Sequence, residues 1–207
     1  MPLEYEYQFY DFDKPSIIKF IKKLGFKNKG KFIFKVMVFD HPLNKPSYIR
    51  IRDEGFRTTL TYKMKNPKSK FEDEDEVLID NFENGCKILF ALGCQKKYYY
   101  EKIREIWSLN DDEIIFDINP GEPIRMEIES KSKKDLDTLT EKLKLVESII
   151  DGEYDPLKEL FGIVLDSNID LTFLTAKKVF GKLLKKNKTE FKKLIDEQLI
   201  LYNELVK

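Results

Sequence analysis

The chain reads as an α+β protein built on an antiparallel, roughly eight-stranded closed β-barrel, with external helices and a helical C-terminal extension. Three observations predict this. Period-two segments recur from the first residues to about residue 130. Amphipathic helical segments separate them in two similar halves, each a helix followed by a set of strands, the pattern of an antiparallel sheet that curls and closes. Most tellingly, same-sign charges recur two residues apart: Glu4/Glu6, Arg50/Arg52, Lys63/Lys65, Glu74/Glu76, Lys102/Arg104 and Glu127/Glu129. In a strand such pairs share a face about 7 Å apart. Like charges at that distance repel by roughly 0.6 kcal/mol in water and roughly 2.4 kcal/mol at an effective dielectric of about 20. A wall that segregates acid pairs from base pairs suits cations on one side and a polyanion on the other.

The elements follow in order. LEYEYQFYDF sets Leu3, Tyr5, Tyr7 and Phe9 against Glu4, Glu6 and Gln8, a half-buried strand. Asp13 is placed to cap a helix with Pro15 in its first turn, running through IIKFIKKLG to Gly25. Strands are expected at KFIFKVMVF, SYIRIRDE, RTTLTYKMK and EDEDEVLI, with Glu54-Gly55 as a tight turn. Asn81 is placed to cap a helix through CKILFALG that Gly93 ends. YYYEKIREIW, EIIFDIN and PIRMEIES read as further strands, and SKKDLDTLTEKLKLVES as a helix reaching Ser148. With helices covering the apolar face, the charged face is left inside.

Beyond Asp151 the pattern becomes helical: PLKELFG is a short helix, and two lysine-rich amphipathic helices split near Asn187-Lys188-Thr189. The 207 residues, 42% hydrophobic, suffice for one substantial core plus an appendage. Lys+Arg and Asp+Glu both number 37, so no net field draws the molecule to nucleic acid or membrane, and any ligand must be recognised locally. Cys86 and Cys94 make no metal-type spacing, and no apolar leader or membrane-length run is seen. A reducing cytoplasm is the expected location.

The order of these motifs resembles the triphosphate tunnel metalloenzyme superfamily, which includes class IV adenylyl cyclases, thiamine triphosphatases and inorganic triphosphatases. The resemblance covers roughly residues 3 to 160. The family's opening ExExK stands here as EYEYQ, its RxR as Arg50-Ile51-Arg52, and its threonine-x-lysine strand as LTYK ending at Lys63. Its next ExE matches Glu74-Asp75-Glu76, its KxR Lys102-Ile103-Arg104, its aspartate strand IIFDI with Asp117, and its closing ExE Glu127-Ile128-Glu129. FENGCKILFALG falls where the family carries its middle helix. One departure stands out: Gln8 occupies the opening lysine's position, and Lys31 or Lys35 on the next strand would have to supply the missing charge.

The resemblance implies a triphosphate tunnel domain over residues 1–165 and a helical extension over 166–207. Glu4, Glu6, Glu127 and Glu129 would hold Mg²⁺ or Mn²⁺, hard cations that prefer carboxylate oxygens. Arg50, Arg52, Lys63, Lys65, Lys102 and Arg104 would bind the triphosphate. Glu74, Glu76 and Asp117 would serve catalysis, by holding a second metal or orienting a water. Phosphoryl transfer asks mainly for positioning and charge stabilisation, so no nucleophilic side chain is required. The loop residue His41 is read as incidental. The expected partner is a triphosphate-containing small molecule, with a homodimer admitted and neither nucleic acid nor membrane involved. Three readings stay open: a triphosphatase, a class IV adenylyl cyclase, or a triphosphate or polyphosphate binding module without catalysis.

Overall fold

The computed structural model describes residues 5–43, 47–65, 72–150, 154–165 and 169–207, with only the backbone for Lys65, Glu72 and Asp73. Eight strands form one sheet: β1 (Tyr5–Phe9), β2 (Lys27–Asp40), β3 (Ser47–Asp53), β4 (Thr58–Lys65), β5 (Glu72–Ile79), β6 (Gln95–Leu109), β7 (Asp112–Ile118) and β8 (Arg125–Ser130). Their order is β1-β8-β7-β6-β2-β3-β4-β5, with every neighbouring pair antiparallel.

Closure by hydrogen bonds, expected from the sequence, is not made among the described residues: β1 and β5 are the ends of an open order. The sheet curls instead, because strand twist accumulates across its pairings. Glu6 and Gln8 of β1 and Glu74 and Glu76 of β5 thereby line one cavity.

The convex face is apolar and covered by helices. Helix α1 (Lys14–Leu24) ends at Gly25, whose φ of 98° is the left-handed cap a glycine tolerates. It buries Ile17 and Ile21 against Phe9, Trp107, Ile114, Phe116, Met126 and Ile128, where Leu136 and Leu139 of α3 (Lys133–Lys142) join them. Each fully buried side chain of this size contributes about 1.5–3 kcal/mol. Helix α2 (Phe82–Ala91), capped by Asn81 accepting from the Asn84 N–H at 2.8 Å, covers Phe39 and Ile51 with Cys86 and Leu89. Both cysteines are buried and unpaired.

Helix α3 stops six residues short of the expected Ser148. Lys144 takes a left-handed φ of 59°, and the Leu145 N–H turns back to the Thr140 carbonyl at 3.1 Å. A continuing helix would point Leu143 and Leu145 about 200° apart; the break lets both enter the core.

At the C-terminal end, α4 (Pro156–Phe161), α5 (Phe173–Gly181) and α6 (Lys188–Val206) share a core of Leu157, Phe161, Phe180, Phe191 and Ile195. Leu171 docks this unit onto β6: its N–H donates to the Tyr99 carbonyl and its carbonyl accepts from the Glu101 N–H, both at 2.9 Å. Among the described residues no helix is long and apolar enough to cross a membrane.

Candidate active site

Strand alternation turns the described members of the charge pairs onto the concave face. There they line a cavity of about 830 Å³ together with Phe34, Tyr48 and Tyr100. One half of the wall is acidic. Glu6 of β1 and Glu113 of β7 both stand in register with Glu129 of β8, so carboxylates face each other across three adjacent strands. Like charges directly opposite on a sheet are destabilising. Oxygens of Glu6, Glu127 and Glu129 lie within 4.8 Å of one another. Burial, then the charge of Glu127, raises the pKa of Glu6 above the ordinary carboxylate value. A hard divalent cation would relieve this crowding, and an all-carboxylate donor set suits Mg²⁺ or Mn²⁺.

The other half is basic. Arg50, Arg52 and Lys63 line it from β3 and β4, and β5 supplies their partners: Glu74 lies 2.6 Å from Lys63 and 3.4 Å from Arg50, while Glu76 lies 3.6 Å from Arg52 and 3.7 Å from Arg50. The Thr61 hydroxyl also donates to Glu76 at 2.9 Å. Arg52 reaches buried Glu54 at 2.6 Å. Burial, followed by the neighbouring Arg50 charge, lowers the pKa of Arg52.

The floor joins the halves. Asp117, fully buried, accepts from Lys102 at 2.8 Å and from Arg104 through Nε at 2.7 Å and Nη2 at 2.6 Å, with Arg125 at 3.2 Å. Arg104 and Arg125 continue to the two oxygens of Glu127 at 2.7 and 2.8 Å. Burial works against charge on Asp117, but Lys102 and Arg104 outweigh it and hold the carboxyl far below its usual range. Burial pushes Lys102 down to about 8, although Asp117 opposes the shift. Arg52, Lys102 and Arg104 also lie 5.5–5.8 Å from the centre of the Phe34 ring, whose face attracts cations.

Three buried donors in this cavity wall, the Nε groups of Arg50, Arg52 and Arg125, have no hydrogen-bond acceptor among the described residues. A buried donor left unmade costs about 1–3 kcal/mol, so this wall is incomplete without an anion.

The structure thus brings Glu6, Glu127 and Glu129 together, and Lys102, Arg104 and Asp117 together, while Glu74 and Glu76 join Arg50, Arg52 and Lys63. It does not gather Glu74, Glu76 and Asp117 into one carboxylate cluster among the described residues. Glu4 lies outside the described residues, as does the side chain of Lys65.

Lys31 and Lys35 do not point inward. Lys31 sits 3.6 Å from Glu105, which Lys14 of α1 also holds, so it belongs to the convex face, and Lys35 is exposed four residues along the same face. Phe32 and Phe34 take the inward positions instead. Gln8 does line the cavity, 3.3 Å from Glu6 and in register with Glu127.

Five charged cavity residues are not among the site residues expected from the sequence: Lys29, Glu54, Arg57, Glu113 and Arg125. Arg125 and Glu113 were legible by alternation, since each shares a face with named site residues. Lys29 was not, because a bulge between Asn28 and Gly30 resets the alternation of β2; Gly30 has a φ of 128° and its N–H is held by the Asn28 side chain at 2.7 Å. His41 lies apart, its Nδ1 accepting from the Leu43 N–H at 3.1 Å.

A family model described as the CYTH domain matches residues 2–154. MJ0240 of Methanocaldococcus jannaschii, provisionally named an adenylate cyclase, is 32% identical over 147 residues, spanning 67% of this chain and 81% of that protein. Among solved structures, PH1012 from Pyrococcus horikoshii superposes with a TM-score of 0.61 at 22% identity, covering 73% of this chain and 97% of the other. HpAC1 from Hippeastrum, provisionally named an adenylyl cyclase and described with a dominant triphosphatase activity, superposes with a TM-score of 0.50 at 16% identity, covering 80% and 98%. At those identities the two structures share the fold.

Proposed function

Because the chain belongs to the CYTH domain family, we propose that it is a divalent-metal-dependent phosphoryl-transfer enzyme that hydrolyses a triphosphate such as thiamine or inorganic triphosphate. The observation that carries the reading is that the buried Nε groups of Arg50, Arg52 and Arg125 lack acceptors among the described residues, in the same cavity that gathers the carboxylates of Glu6, Glu127 and Glu129. A chain of phosphates supplies acceptors to the first and bridges to a cation held by the second.

In this reading Arg50, Arg52, Lys63, Lys65, Lys102 and Arg104 bind the phosphates, joined by Arg125. Guanidinium groups meet phosphate oxygens through paired hydrogen bonds, and the lysines act as adaptable point charges. Glu4, Glu6, Glu127 and Glu129 hold Mg²⁺ or Mn²⁺, which when bound withdraws charge from the phosphate oxygens. Glu74 and Glu76 orient the attacking water. Asp117 keeps Lys102, Arg104 and Arg125 converged on the floor. Water adds to the terminal phosphorus, the bridging oxygen departs with the diphosphate, and the water proton passes to solvent.

The provisional name of MJ0240 favours a second reading, a class IV adenylyl cyclase, in which the 3′-hydroxyl of ATP attacks the α-phosphorus and pyrophosphate leaves. Gln8 favours a third, a binding module, because an amide hydrogen-bonds a phosphate without neutralising it. One assay separates them: the protein is incubated with inorganic triphosphate, thiamine triphosphate and ATP, each with Mg²⁺ or Mn²⁺. Released phosphate is expected. Cyclic AMP with pyrophosphate would select the cyclase, tight binding without product the module, and no binding would overturn all three. The two free cysteines accord with a reducing cytoplasm as the place of action.

A further inference from the structure

The family match ends at residue 154, yet a buried side chain from the last helix reaches the loop beside the site. Asn119-Pro120-Gly121-Glu122 joins β7 to β8 as a tight turn, closed by the Glu122 N–H donating to the Asn119 carbonyl at 3.1 Å, with proline second and Gly121 third at φ 82°. Such a turn leaves the third residue's N–H and the last carbonyl unused within itself. Gln198 of α6, 5% exposed, supplies both partners. Its Oε1 accepts from the Gly121 N–H at 2.8 Å, and its Nε2 donates to the Glu122 carbonyl at 2.7 Å and the Asn119 carbonyl at 3.2 Å. Phe180 of α5 packs where a Gly121 side chain would be, 2.5 Å from the position of an added Cβ, so this approach requires glycine.

The clamped turn lies between two residues of the cavity floor. Asp117 precedes Asn119 by two positions, and Arg125 follows Glu122 by three and stands in register with Asp117. We propose that Gln198 is a positioning residue: by clamping the turn from outside the family domain, it fixes where Arg125 enters the floor, so that the guanidinium meets Asp117, Glu127 and the bound phosphates together. The C-terminal helices are thereby part of the site's framework, touching no substrate. The effect on binding rests on the triphosphate reading above; the effect on Arg125 does not.

Gln198→Met keeps the length and volume but loses all three bonds, and Gln198→Glu keeps the acceptor for Gly121 while losing both donors. In the full chain, the side-chain Nε–H resonance of Arg125 is identified by its loss in Arg125→Ala. It is expected to shift in Gln198→Met, and further in Gln198→Glu, whose second carboxylate oxygen would face the Asn119 and Glu122 carbonyls, at a temperature where both variants are folded. Inorganic triphosphate with Mg²⁺ should bind Gln198→Met about tenfold more weakly, while in the Arg125→Ala background the same change should cost less than about twofold. An Arg125 resonance unmoved in whichever variant folds overturns the positioning role, and so do losses that simply multiply in the double variant. Wild-type protein that binds no inorganic triphosphate would overturn the functional reading alone, with the resonance still deciding the role of Gln198.

Discussion

Arg104 and Asp117 meet side-on at the floor of the cavity, Nε to Oδ1 at 2.7 Å and Nη2 to Oδ2 at 2.6 Å, in register on the adjacent strands β6 and β7. Asp117 neutralises three cations that would otherwise repel. Asp117→Asn should therefore cost about 3–5 kcal/mol of stability, the usual penalty for removing one partner of a buried ion pair. Inorganic triphosphate should restore part of it by offering replacement negative charge. Urea unfolding with and without the anion checks both; a variant as stable as wild type would mean that the floor is not held by this carboxylate. Because the folded pKa of Asp117 is depressed, its contribution is full above the unfolded carboxylate value of 3.8 and is lost as pH falls below it.

Lys102 makes the site sensitive to alkaline pH. Burial lowers it from 10.5 to about 8, so the empty site releases this proton as pH rises through about 8 and a bound polyanion takes it back. Triphosphate affinity should decline above that pH, with net proton uptake on binding, measurable by calorimetry in buffers of different ionisation enthalpy. Lys102→Arg should abolish the uptake. Stability moves the other way: the charged form is the one burial disfavours, so this group's penalty is full below about 8 and is relieved as pH approaches 10.5.

Arg52→Ala and Arg104→Ala should each weaken binding of a non-hydrolysable triphosphate by about 1.5–3 kcal/mol, the worth of a charged hydrogen bond. Their stabilities should diverge. Removing Arg104 strips buried Asp117 of its bidentate partner, whereas Glu54, the close partner of Arg52, keeps Arg57 at 2.7 Å. Unaltered affinity in both variants would make the basic wall purely structural.

Glu6→Gln and Glu129→Gln each remove an anionic oxygen from the carboxylate triad without changing shape much. Neither should melt the protein, and both should abolish Mg²⁺-dependent turnover and weaken Mn²⁺ binding, followed by paramagnetic relaxation of water. Full turnover in both variants would dismiss the triad as the metal site.

Gln8→Lys would add a cation beside Glu6 and opposite Glu127. With Lys31 and Lys35 facing away, no lysine at those positions fills this role, so the gain should be visible in the otherwise native protein. A donor aimed at charge growing in the transition state is worth about 2.7–4 kcal/mol. Steady-state rates on inorganic triphosphate measure it, and an unchanged rate would place the phosphates away from β1.

Much of this site was legible because side-chain alternation is a local property. Once Arg50, Lys63, Lys102 or Glu127 lies on a strand, the residue two away shares its face whatever the strand's neighbours are. β2 shows where that logic weakens. KFIFKVMVF is apolar on both faces, so alternation alone could not say whether its lysines or its phenylalanines turn inward, and the bulge at Asn28–Gly30 brought in Lys29 instead.

The sequence by itself determined the elements, their antiparallel sheet and the separation of acid from base pairs, all of which follow from periods of two and 3.6 residues and from capping residues such as Asn81 and Gly25. Only the tertiary structure decided which charges meet: that Asp117 belongs to Lys102, Arg104 and Arg125, that Glu74 and Glu76 belong to the basic wall, that β1 and β5 line one cavity without pairing among the described residues, and that Gln198 clamps the turn before Arg125. The ion-pair partners sit on strands adjacent or next but one in the sheet, whereas β1 and β5, and Gln198 and its turn, are distant in sequence. Register and curl bring them together, and both are set by packing across the whole sheet.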